Sequence, residues 1–105
     1  MSISKDFRKV VGKIRADLGT HNYPKAMMTG AQMKNLTATV NCGGEWRTLE
    51  FTNNLAQAVV EDDRFKDFLD KYSAKAYIEK ARYAGREYVQ IRINYPEEVL
   101  PKWTS

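Results

Sequence analysis

Cys42 and His21 are the only thiol and the only imidazole in the chain, so thiol chemistry would have to start there. A cysteine becomes a nucleophile when a neighbouring base holds it as thiolate. The two residues stand 21 apart, Cys42 in a Gly-flanked stretch and His21 before Asn-Tyr-Pro. Nothing in the spacing brings them together, and a cysteine in an alternating apolar run packs as a small hydrophobe. A Cys/His-dependent enzyme is therefore a remote alternative, and no catalytic residue is assigned. One Cys and one His cannot supply a tetrahedral zinc site without carboxylates. Asp62 and Asp63 read as helix caps rather than ligands, so no metal and no cofactor is expected. The Asn41-Cys-Gly-Gly-Glu turn lacks the Lys-Ser/Thr pair of a phosphate-binding loop. Asn35-Leu-Thr matches a glycosylation sequon, a chance match in a chain with no apolar leader after Met1.

Basic and aromatic residues interleave late in the chain, at Tyr77, Lys80, Arg82, Tyr83, Arg86, Tyr88, Arg92 and Tyr95. Aromatic rings stack on bases, at about 1–3 kcal/mol each, while Lys and Arg neutralise phosphates. A second cationic set, Lys5, Lys9 and Lys13, recurs at spacing four and stacks on one helical face, with Arg8 and Arg15 beside the apolar stripe. The nucleic-acid-binding candidates are therefore Lys5, Arg8, Lys9, Lys13, Arg82, Arg86, Tyr88 and Arg92. The glycine-aromatic signature of the common RNA-binding sheet is missing. Trp46, Tyr83 and Tyr88 are the candidate protein contacts, because exposed aromatics anchor interfaces.

The elements that position these residues follow from periodicity. Phe7, Val10, Val11, Ile14 and Leu18 form one stripe, predicting a helix over Ser4–Leu18 that stops at Gly19. His21-Asn-Tyr-Pro begins an irregular stretch over 20–32, with Met27, Met28 and Met33 as gap-fillers. Leu36, Ala38, Val40 and Cys42 alternate with polar residues. They predict a hairpin that turns at Asn41–Glu45 and returns over Trp46–Phe51, with Trp46 outward. Asn53 or Asn54 caps a second helical stretch, broken near Asp62, where an aspartate caps a further segment from Arg64. A second hairpin spans Tyr77–Tyr95 around Ala84-Gly85-Arg86, ending at Pro96. The tail from Glu97 reads as an irregular strap.

The expected fold is α+β, helix-hairpin-helix-hairpin (αββαββ): a mostly antiparallel four-stranded sheet with helices on one face. The other face would show Thr37, Thr39, Trp46, Thr48, Tyr88, Gln90, Arg92 and Asn94. With 105 residues the chain reads as a single domain, 1–105. Its 43% hydrophobic content and net charge of +4 exclude a disordered chain. The charge is polarised. Residues 1–44 carry seven basic and two acidic side chains, residues 45–74 four and seven, and residues 75–105 six and four. The acidic segment Glu61–Asp70 suits a basic partner or the molecule's own basic side. No apolar run is long enough to span a membrane, and the cytoplasm is the expected location.

These features imply a small non-enzymatic basic protein whose partner is a nucleic acid or a nucleoprotein complex. The alternative is an adaptor or inhibitor that binds a single host protein. In size class alone the chain resembles the inhibitors made by phages and other mobile elements.

Overall fold

The computed structural model of the chain describes residues 3–18, 37–44 and 49–102. Helix α1 spans Ile3–Asp17, strand β1 Thr37–Gly44, helix α2 Leu49–Glu61 and helix α3 Asp63–Lys71. Strands β2, Lys75–Tyr83, and β3, Arg86–Asn94, form a hairpin, and a 3-10 helix covers Glu97–Lys102. The class is α+β, as expected. The described residues hold three strands rather than four, in the order β1-β3-β2, every pairing antiparallel.

The correction lies in the first hairpin. Leu49, Glu50 and Phe51, expected as its return strand, are the first turn of α2, while residues 45–48, including Trp46, lie outside the described residues. Thr52, Leu55, Ala56 and Val59 are buried at helical spacing, so a period of 3.6 prevails over a short alternation. Asn53 and Asn54 therefore sit inside α2 instead of capping it. β1 also runs on through Gly44, into the expected turn. Its pairing slips between Asn41 and Gly44, three steps against two on β3, which is a β-bulge. Gly43 takes φ +123° there, and its N–H donates to Asn41 Oδ1 at 2.9 Å. The tail corrects from a strap to a 3-10 helix with Val99 buried. The expected irregular stretch over 20–32, with its methionines, lies outside the described residues, as does Trp103.

The break at Asp62 falls where the sequence places it. Asp62 caps α3 with extended backbone, and its carboxylate accepts from the Arg64 N–H at 2.9 Å. The second hairpin turns on Ala84 and Gly85 at φ +52° and +78°. Two successive positive φ values are the requirement of a two-residue I′ turn, and Ala84 tolerates the left-handed region at some strain.

Val89, Ile91 and Ile93 of β3, with Ala38, Val40 and Cys42 of β1, form the inner sheet face. α2 lies across all three strands, α3 beside α2, and α1 along α3. Ile3, Phe7, Val11 and Ile14 are the buried stripe of α1, and Phe7 meets the Phe68 ring edge-on at 5.7 Å. α1 and α3 run antiparallel and are joined at both ends. Arg64 pairs with Asp17 at 2.5 Å, and Lys71 Nζ donates to Asp6 Oδ2 at 2.9 Å. The Tyr72 hydroxyl donates to the same Asp6 oxygen. That hydrogen bond first, and Lys71 second, hold Asp6 below the usual carboxylate range.

A carboxyl depressed in the folded state contributes stability above its unfolded pKa and loses it as pH falls through the folded value. Denaturant unfolding is thus expected to show stability falling below about pH 4, the unfolded Asp range. Asp6→Asn should flatten that fall. An unchanged acid limb in Asp6→Asn would show that the α1–α3 junction does not depend on this carboxylate.

Candidate nucleic-acid interface

The helical period of α1 separates its charges. With Ile3, Phe7, Val11 and Ile14 buried, Lys5, Lys9 and Lys13 stand on the opposite side and Arg8 and Arg15 flank the stripe, all five exposed. Gly12 and Ala16 lie among them, also exposed. The acidic residues of α1, Asp6 and Asp17, are turned to α3 and joined to Lys71 and Arg64. No carboxylate therefore interrupts the outward face. Among the described residues, Arg8, Lys9, Lys13 and Arg15 enter no ion pair within 4 Å.

The second hairpin differs. Register sets the outer sheet face in cross-strand rows: Lys75, Asn94 and Thr37; Tyr77, Arg92 and Thr39; Glu79, Gln90 and Asn41; Ala81, Tyr88 and Gly44. None of the described side chains in these rows is fully buried. This polar, aromatic-bearing face matches the expected Thr37, Thr39, Tyr88, Gln90, Arg92 and Asn94, while Trp46 and Thr48 lie outside the described residues. Its cation at Arg92 is engaged, because Arg92 Nε meets Glu79 Oε1 at 2.8 Å, and Gln90 donates to the same oxygen at 3.1 Å. Arg82 stands on the inner-face register beyond the helices and pairs with its cross-strand neighbour Glu87 at 2.7 Å. That pair holds the Glu87 carboxyl low. Tyr77 is 49% exposed and Tyr88 half-buried. Tyr83 and Arg86 pair through their backbones across the turn, and their side chains lie outside the described residues.

The two sets of candidates do not form one surface. α1 exposes the side opposite its buried stripe, and the sheet exposes the side opposite Val89, Ile91 and Ile93, so the core lies between them. Lys5, Arg8, Lys9 and Lys13 are brought together, with Arg15 added. Tyr88 and Arg92 belong to the sheet face on the far side, while Arg82 stands on the inner-face register at the hairpin end beyond the helices. Arg15 was legible from its spacing of seven from Arg8. Among the described residues, Tyr77 emerges as the most exposed large ring only from its register opposite Arg92.

Cys42 is fully buried on the inner sheet face, its Sγ 3.8 Å from the Val40 carbonyl oxygen. Burial pushes its thiol up to about 12. It is protonated at neutral pH and sealed in the core, and His21 lies outside the described residues. Among the described residues no group of three or more His, Cys, Asp or Glu is placed to hold a metal ion. No helix among them is long and apolar enough to cross a membrane.

Fold and surface together define a small α+β protein with a segregated cationic helix on one side and an open, tyrosine-bearing sheet on the other. Set against known proteins, the chain matches no family model, no curated protein and no solved structure.

Proposed function

We propose that the protein is a non-enzymatic binding module that holds a nucleic acid, or a nucleic-acid-handling complex, by its phosphates along α1. One observation carries this reading: five exposed cations line α1 while its two carboxylates are joined to α3. Like charges at spacing four cost a helix a few tenths of a kcal/mol per pair, and a phosphate backbone offsets that cost. The open sheet face favours a second reading, contact with one host protein. Its Arg92 is already matched to Glu79, so Tyr77 and Tyr88 offer amphipathic area more than charge.

Salt separates the two. Four to five phosphate contacts predict a log–log slope near −4 in salt for duplex DNA, and a somewhat shallower one for single strands. Raising salt from 50 to 200 mM is then expected to weaken binding more than a hundredfold in a fluorescence-anisotropy titration. Affinity that is flat across that range would discard the phosphate reading.

A further inference from the structure

Two ridges of opposite sign run side by side on the outer surface of the helix layer. On α1 the ridge is Lys5, Arg8, Lys9, Lys13 and Arg15. On α3, Asp63, Asp67 and Asp70 are exposed, with Lys66 the one cation among them, and Glu61 stands exposed at the end of α2. The other cations of α3, Arg64 and Lys71, are occupied at the seam by Asp17 and Asp6. Because those two contacts sit at opposite ends of an antiparallel pair, the ridges run alongside one another over the nine residues of α3.

Such a surface is complementary to itself. We propose that a second copy of this chain docks here, about a two-fold axis running along the α1–α3 seam. This operation sets each cationic ridge on the acidic ridge of the other copy, whereas a two-fold across the helices would oppose like charges. Gly12 and Ala16 lie among the cations, and among the described residues nothing stands within 4 Å of a Cβ at Gly12, so the helix surface is low there.

The size of the surface sets the strength. The nine residues of α3 set the contact length at about 14 Å, and two neighbouring helices present a face about 20 Å wide. The area is therefore about 280 Å² per copy, about a third of the roughly 800 Å² of a standard interface. Exposed ion pairs add little each, so this dimer is weak, concentration-dependent and dissolved by salt. It rests on the charge geometry alone and is independent of any nucleic acid. The two uses of α1 exclude one another, so self-association would mask the phosphate-binding face.

Sedimentation velocity over a concentration series tests this without nucleic acid. The expected result is a mass approaching twice that of the monomer at low salt and the monomer mass in 1 M salt. Two variants sharpen it, Arg8→Glu/Lys9→Glu/Lys13→Glu and Asp67→Lys/Asp70→Lys, each checked for fold by circular dichroism. Each alone should be monomeric at low salt, and an equimolar mixture should recover the dimer because both ridges are reversed together. If either variant is unfolded, Lys13→Glu and Asp67→Lys replace the multiple changes in the same mixing scheme. A monomer at every concentration, a dimer that persists in 1 M salt, or a mixture that stays monomeric would overturn the proposal. Nucleic-acid binding measured on dilute protein stands or falls separately.

Discussion

Reversing charge at Arg8, Lys9 and Lys13 to Glu is expected to weaken nucleic-acid binding about a thousandfold at 0.1 M salt. Counterion release makes each phosphate contact worth about 1 kcal/mol at that salt, so losing three costs at least a hundredfold, and the new carboxylates repel phosphate besides. The variant should still fold. All three side chains are exposed and enter no ion pair within 4 Å among the described residues, and the buried stripe of Ile3, Phe7, Val11 and Ile14 is untouched. Its one local cost is to Asp6, whose carboxylate is stabilised in part by Lys9. The matched control is Lys80→Glu/Arg82→Glu on the hairpin, where Arg82 is already neutralised by Glu87. That variant should change binding by less than about tenfold. If the hairpin reversal removes binding while the α1 reversal leaves it intact, the phosphate surface is misassigned to α1.

Elements whose period is long and clean could be read from the chain. α1 shows five apolar residues on one stripe, and β3 alternates from Val89 to Ile93 without exception. The break before α3 was visible because Asp62 is both polar on an apolar face and a good cap. With a cap at Asn53 or Asn54, the expected α2 begins five or six residues too late, because of Thr52. This residue is 2% exposed and fills the first turn of the buried stripe, yet in sequence it looks like a polar interruption. With Thr52 discounted, Leu49 and Phe51 resemble an alternating strand, and a fourth strand followed. The outgoing strand β2 was ambiguous for a physical reason. Ala76 and Ile78 pack inward, but the hairpin then runs past the helices, and Lys80 on the same side is exposed. The cationic set on α1 was legible because charge follows the helical period. The neutralisation of Arg82 and Arg92 was not, since it depends on cross-strand register and on Glu79 standing diagonal to Arg92. Nor could the sequence show that α1 and the outer sheet face point apart, which is a property of layer packing.

Phe68→Ala is expected to destabilise the protein by about 3–5 kcal/mol, the cost of emptying a buried phenyl site. Phe68 is 4% exposed and sits where three elements meet. Its ring packs on Phe7 of α1, on Phe65 and Tyr72 on its own side of the seam, and edge-on against Tyr95 at the end of β3, with centroids 5.1–6.5 Å apart. Edge and offset contacts of this kind add about 0.5–1.5 kcal/mol per pair beyond burial, so the upper half of the range is the natural expectation. Against a total stability of about 5–15 kcal/mol, this leaves a marginal or unfolded chain. In thermal unfolding the midpoint should fall by about 15–30 °C for a domain of this size. Phe68→Leu keeps most of the volume and should lose less than half as much. Tyr77→Ala, on the open sheet face, should shift the midpoint by only a few degrees. The functional consequence follows from the same junction. α1 is held by the Phe7–Phe68 contact and by carboxylate links at its two ends, so removing the ring loosens the helix that carries the cations. A Phe68→Ala midpoint within about 5 °C of the parent would mean that α1 is anchored by something other than this aromatic cluster.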